Sequence, residues 1–238
     1  LVDILTTGIV ETDSGEKRVL TDNIPLEYGL WLQGLMLKER AITVLVEIGL
    51  ACGISSLFIS SLLASNPAAR HIIFDPFQSD YADIGLKNLN RAGCSDKVDF
   101  HRTPSHIGLA ELARQKTEID FAFIDGSHLF DYVLVDFFLI DKLLRVGGII
   151  VLDDLNWESI NPAYRFIVNN RSYSVVSTFS TERFHLWQLL KYRIKRILPF
   201  ALRKKLFKNP QVCVPGPRAV ALRKEREDNR EYWFHRPF

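Results

Sequence analysis

The sequence predicts a doubly wound α/β domain: a seven-stranded sheet, mostly parallel with an antiparallel last strand, and helices on both faces. Three observations carry this prediction. Short runs rich in Val, Ile, Leu and Phe recur without polar alternation, as strands buried on both faces require. Helical stretches separate those runs, the order that produces a parallel sheet. Over 238 residues, 47% hydrophobic and 24% charged positions are ordinary for a globular chain and leave no apolar run long enough to span a bilayer.

Residues 1–25 show little periodicity, and "ETDSGEKR" reads as a polar turn. "LEYGLWLQGLMLK" (26–38) predicts a helix covering the sheet. Strands then follow at 43–48, 71–75, 97–102, 119–125 and 149–154, with helices at 55–65, 80–93, 105–116, 130–148 and 159–169 between or after them. Gly93 and the Gly147-Gly148 pair supply helix stops. "SYSVVSTF" and "RFHLWQLL", separated by "STER", predict an antiparallel hairpin that closes the sheet. The expected partition is an extension over 1–25, a domain over 26–190 and a tail over 191–238.

The tail differs from the body in charge. Residues 1–190 carry 16 Lys and Arg against 24 Asp and Glu, whereas residues 191–238 carry 14 against 4. Three widely spaced cysteines with no CxxC pair point to reduced thiols and a cytoplasmic setting. The chain starts with Leu, not Met, which leaves open a missing start or a removed signal peptide.

In a doubly wound sheet, ligands bind beyond the carboxyl ends of the strands. Here those ends carry Glu47 and Gly49, then Asp75, Asp125 and the Asp153-Asp154 pair. Turn formation would explain any one of these acids but explains the set poorly. Asp75 lies 22 residues beyond Gly53, a spacing suited to ribose hydroxyls. A nicotinamide enzyme would share that feature. However, "GLACG" is not G-x-G-x-x-G, and Glu47 would repel a pyrophosphate. S-adenosylmethionine, cationic and free of phosphate, suits the acid better.

"VEIGLACGISS", "FDP", "FAFIDGSH" and "LLRVGGIIVLDD" resemble the motifs of class I S-adenosylmethionine-dependent methyltransferases. They are most similar to family 24, which includes metal-dependent sugar O-methyltransferases of macrolide biosynthesis. The resemblance covers residues 26–190 and implies a Rossmann-like fold. It implies that Glu47, Gly49, Gly53 and Ser55 line the methionine end of the cofactor, with Asp75 on the ribose and Ser105 near the adenine. Asp125 falls at the cofactor's edge, and the helix bearing Glu27 and Tyr28 would close over it.

Neighbouring strands lie roughly 4.8 Å apart, so Asp125, Asp153 and Asp154 can converge. Carboxylates held together repel unless a cation joins them, and an oxygen-only set favours Mg²⁺. The competing reading has Asp153 as a local cap, with only Asp154 facing the cleft. Catechol-type relatives have Asp-Asn at this position, so the Asp-Asp pair looks closer to sugar-modifying enzymes. His128 hangs over the same place, and the resemblance implies a base there.

The resulting expectation is an O-methyltransferase acting on a small-molecule hydroxyl. The alternative is a non-catalytic S-adenosylmethionine-binding or scaffold protein. Trp157 and Tyr164 could stack on an acceptor or simply pack. The segment 191–208 has eight basic residues and no acid, interleaved with apolar ones. Its apolar face is expected to pack on the sheet or on a second subunit of a homo-oligomer. A membrane surface is the less favoured occupant, and nucleic acid is not expected.

Overall fold

A computed structural model of the chain describes residues 2–12, 15–20, 23–39, 42–180, 186–206 and 213–238. The N-terminal segment forms α1 (Val2–Thr7) and a two-stranded antiparallel ribbon of β1 (Ile9–Glu11) and β2 (Lys17–Val19). The turn expected around "ETDSGEKR" lies within this ribbon, with Asp13 and Ser14 outside the described residues. The sheet proper alternates with helices: α2 (Leu26–Met36), β3 (Val44–Ile48), α3 (Ile54–Leu63), β4 (Arg70–Phe74), α4 (Ile84–Arg91), β5 (Val98–His101), α5 (Ser105–Arg114), β6 (Ile119–Ile124), α6 (Phe130–Leu143), β7 (Leu144–Leu152), α7 (Asn161–Asn170) and β8 (Tyr173–Phe179). The chain then forms α8 (Leu186–Ile197) and α9 (Phe200–Leu206) and returns as β9 (Ala219–Lys224).

Seven strands pair in the order β5-β4-β3-β6-β7-β9-β8, and the strand order reverses between β3 and β6. Only β9 runs against the others, pairing antiparallel with both β7 and β8. The continuous apolar runs become the buried central strands because each of their faces meets helices. One core layer, including Leu45, Phe121, Phe123 and Val151, lies under α2 and α3. The other, including Val46, Ile72, Phe137 and Ile150, lies under α5, α6 and α7.

The closing of the sheet differs from the expected hairpin. Residues 183–185 of its second arm lie outside the described residues, and Leu186–Leu190 begin α8. The partner of β8 is instead β9, from the segment set apart as a tail, so the expected boundary at Leu190 cuts through the sheet. The "AVAL" run of β9 is fully buried, whereas its flanks are rich in Arg and Lys and mask it in the sequence.

The helix expected over 130–148 also stops early, at Leu143, for a reason supplied by β9. Lys224 is buried, and its Nζ donates to the carbonyls of Asp141 and Leu144, each at 2.8 Å, and to the Glu227 carboxylate. A cation at a helix carboxyl end satisfies orphan carbonyls and suits the dipole. Asp141 itself pairs with Arg171 and accepts from the Tyr173 hydroxyl at 2.8 Å. The chain end is tied down as well, since the Arg236 N–H donates to Asn170 Oδ1 at 2.8 Å.

Burying Val220 and Leu222 in β9 contributes roughly 3–6 kcal/mol, a large share of the net stability of about 5–15 kcal/mol typical of a domain. A chain truncated after Leu190 should therefore fail to fold cooperatively, with a flattened thermal transition by circular dichroism. A sharp transition like that of the full chain would show β9 to be dispensable.

Candidate active site

The turn after β3 is built to contact its own protein closely. Gly49 has φ +92°, and a Cβ there would sit 2.1 Å from the Asp125 carbonyl oxygen, so only glycine lets the two strand ends meet. Gly53, at φ +78°, similarly makes room for the Gly85 carbonyl at the start of α4. Both glycines thus have a structural reason that needs no ligand.

Glu47 is fully buried at the end of β3. Ser55 and Ser56, in the first turn of α3, each donate a hydroxyl to its carboxylate, and His71 Nε2 lies 2.8 Å from it. This carboxylate joins β3, α3 and β4. Asp75 is likewise committed. Its Oδ2 accepts from the Leu50 and Ala51 N–H groups at 3.0 Å and from the Gln78 amide at 2.9 Å, and its Oδ1 accepts from the Phe77 N–H at 2.8 Å. Here Asp75 braces the glycine turn. Ser105 donates to Asp136 Oδ1 at 2.6 Å, tying α5 to α6, and burial pushes Asp136 up to about 6.

The second half of the site lies across the strand-order switch. The Asp125 N–H bonds the Ile48 carbonyl at 3.0 Å, and the Asp153 N–H bonds that of Ile124 at 3.1 Å, so the three strand ends continue in register. Asp125, His128 and Asp154 converge, with ligand atoms within 4.8 Å of one another. His128 Nε2 is 2.8 Å from Asp154 Oδ2 and 3.7 Å from Asp125 Oδ1. The two carboxylates, Asp125 and then Asp154, raise His128 to about 10 against the opposing effect of burial. Burial raises Asp125 in turn. Asp154 has φ +52°, a left-handed backbone that turns its side chain toward His128. Trp157, left open between stacking and packing, lies against the imidazole, with ring centroids 4.5 Å apart. Tyr164 packs against the second core layer.

Asp153 departs from the expected cation set. It is buried, and Arg218 donates to both its oxygens, Nε to Oδ1 at 3.1 Å and Nη2 to Oδ2 at 2.9 Å. Its Oδ1 also accepts the Asp154 N–H at 2.8 Å, as a local cap would, but its ion-pair partner lies 65 residues away on the approach to β9. Arg218 also covers the Tyr28 ring at 5.1 Å. Tyr28 is itself buried beside Asp153 and Asp125, and burial followed by those charges pushes its phenol well up. Arg218 was missed because it sits in a basic tail, where one arginine resembles the rest. Its only local signal is the apolar run that follows it. A surface cleft of about 460 Å³, bounded by residues such as Lys116, Arg145 and Glu227, opens at the other end of β6 and β7, away from these acids.

Residues 46–155, from β3 to just past Asp154, match the profile of a family described as a methyltransferase domain. Over just under half of the chain, the sequence thus resembles a methyltransferase domain. The chain is 29% identical over 162 residues to a probable caffeoyl-CoA O-methyltransferase of Arabidopsis thaliana, covering 64% of this chain and 68% of that relative. It is 28% identical over 142 residues to the catechol O-methyltransferase of Bos taurus, covering 58% of this chain and 50% of the relative. An O-methyltransferase from Bacillus cereus in complex with S-adenosylhomocysteine superposes with a TM-score of 0.61, at 20% identity over 85% of this chain and 83% of that one. A Streptomyces achromogenes O-methyltransferase of tomaymycin synthesis gives 0.59 at 17% identity, over 84% and 80%. These structures share the fold.

Within the matched segment, Asp153 is held by a partner from outside it. Burial and the neighbouring Asp125 push Asp153 up to about 7 even with Arg218 in place. A carboxylate raised in the folded state loses stability as pH rises from the ordinary carboxylate range through that value. Removing one partner of a buried pair costs about 3–5 kcal/mol, less where the remaining acid can protonate. Arg218→Ala should therefore lower the melting temperature more at about pH 8 than at about pH 5. A loss equal at both would show that Asp153 carries no uncompensated charge.

Proposed function

We propose that the protein transfers the methyl group of S-adenosylmethionine to a hydroxyl of a small molecule, with a divalent cation such as Mg²⁺ at Asp125 and Asp154. The observation that carries this reading is the convergence of Asp125, His128 and Asp154 at the strand ends of a methyltransferase domain. The residues fit a cation: two carboxylates face one point, with the imidazolium they stabilise between them, and Arg218 Nε lies 3.9 Å from Asp154 Oδ1. A divalent ion there supplies charge that lowers the pKa of an acceptor hydroxyl.

The chain's own residues supply orientation and proton transfer. Asp154 and the Trp157 ring fix the plane of His128, and its Nε2 is the atom that exchanges the proton. With both acids uncompensated, His128 keeps its proton well above neutral pH, so it becomes a base only when their charge is offset. Arg218 neutralises Asp153 and leaves Asp125 and Asp154 as the acids facing the cleft. Tyr28 and α2 exclude water from one side.

The acceptor class follows from chemistry common to the relatives. Caffeoyl-CoA and catechol, after which the relatives are named, carry adjacent phenolic hydroxyls, whereas the Asp153-Asp154 pair resembles the sugar-modifying group. Both kinds of acceptor present adjacent oxygens. The buried Cys52 and Cys94 thiols support a reducing, cytoplasmic compartment.

One feature favours the second reading, a binding or scaffold protein: Glu47, Ser55 and Asp75 are satisfied by internal partners. Two measurements separate the readings. Calorimetry should show S-adenosylhomocysteine binding with none for NAD, and the reverse result would overturn the cofactor assignment. With S-adenosylmethionine and a panel of catechols and glycosides, EDTA should abolish turnover and Mg²⁺ should restore it, while His128→Ala should cost roughly 10²–10⁴ in rate. Binding without turnover on any acceptor would favour the scaffold. Full activity in EDTA would remove the cation from the mechanism.

A further inference from the structure

In the single chain, apolar residues of the arm formed by α8 and α9 stay exposed among the described ones. Leu190, Ile194 and Ile197 recur at helical spacing on one side of α8, and all three are exposed, Ile197 to 81%. Leu202 and Leu206 of α9 are exposed too, the latter to 60%. At 100° per residue, Arg193 flanks the α8 ridge, whereas Lys195 and Arg196 lie on the opposite face. An apolar ridge backed by a cationic face is the form of a helix lying in a bilayer interface.

The arm's attachment gives it a direction. Phe179, the last residue of β8, pairs with Ala219, the first of β9, and the neighbouring Val220 pairs with Leu152, which immediately precedes Asp153. The arm therefore leaves and rejoins the sheet at the end that carries Asp125, Asp153 and Asp154. No described helix is long and apolar enough to cross a membrane, so any bilayer contact through these helices is at the surface.

We propose that this arm docks on an anionic lipid bilayer and turns the active-site end of the sheet toward it. Charge selects this occupant over a second arm or nucleic acid. Residues 191–208 carry eight basic residues and no acid, so the arms of two copies would repel each other. Nucleic acid would leave the apolar ridge in water. An anionic bilayer offers negative headgroups above an apolar layer and matches both features. The −8 charge of residues 1–190 keeps the rest of the protein off the same surface and confines contact to the arm. Docking is independent of the methyl-transfer reading. Its consequence, an acceptor hydroxyl offered from the bilayer, rests on that reading.

Vesicle flotation of the full chain tests the docking without reference to activity. Vesicles of phosphatidylcholine with phosphatidylglycerol should carry about ten-fold more protein than phosphatidylcholine alone, and salt near 0.5 M should abolish the difference. The double variant Ile197→Glu, Leu206→Glu changes only exposed positions, so it should keep the parent melting temperature yet lose flotation about ten-fold. Equal recovery on neutral vesicles, or flotation that survives the double variant, would overturn the proposal. So would absence of flotation. In that case, a dimer seen by light scattering and broken by the same variant would assign the face to a second copy.

Discussion

Arg218 and Asp153 form the contact on which the rest of the site depends. Asp153 follows β7 at the end of the buried sheet, where a lone carboxylate would face a large desolvation cost. Arg218 meets it with two nearly parallel N–H donors, the geometry at which a guanidinium is strongest. The same guanidinium lies on the Tyr28 ring, so α2, the end of β7 and the approach to β9 share one fixed cation. With Asp153 compensated, Asp125 and Asp154 remain as the pair facing His128.

Charge is therefore divided between two positions at the strand ends. Asp153 holds the Arg218 guanidinium, which also comes within 3.9 Å of Asp154, whereas Asp125 and Asp154 have a titratable imidazole between them. The first arrangement is structural and stays inside the protein. The second is exchangeable, because an imidazolium can give up its place and its proton to another cation. On the other half of the sheet, Glu47 and Asp75 are fully engaged by Ser55, Ser56 and the backbone of residues 50, 51 and 77. The turn holds its shape through these bonds, and a ligand would meet a rigid surface.

The order of strands and helices was legible because both periodicity and continuous apolar runs are local properties. So was the placing of acids at the strand ends, since topology puts every such end on one side of the sheet. The bond partners of those acids were not legible. The two serines and His71 that meet Glu47 look unremarkable at their own positions. Asp153 read as a twin of Asp154 because adjacent residues look alike in sequence. In the structure, a left-handed backbone at Asp154 sends the two side chains to different partners.

By itself, the sequence determined the alternation of elements and the placing of Asp125, Asp153, Asp154 and His128 at one end of the sheet. Only the tertiary structure decided that the last strand comes from residues 219–224, that Arg218 takes Asp153, and that the arm before it exposes its apolar face. These features share a physical reason. A short strand inserted between two others gains its stability from neighbours distant in sequence, and an ion pair across 65 residues leaves no periodic trace.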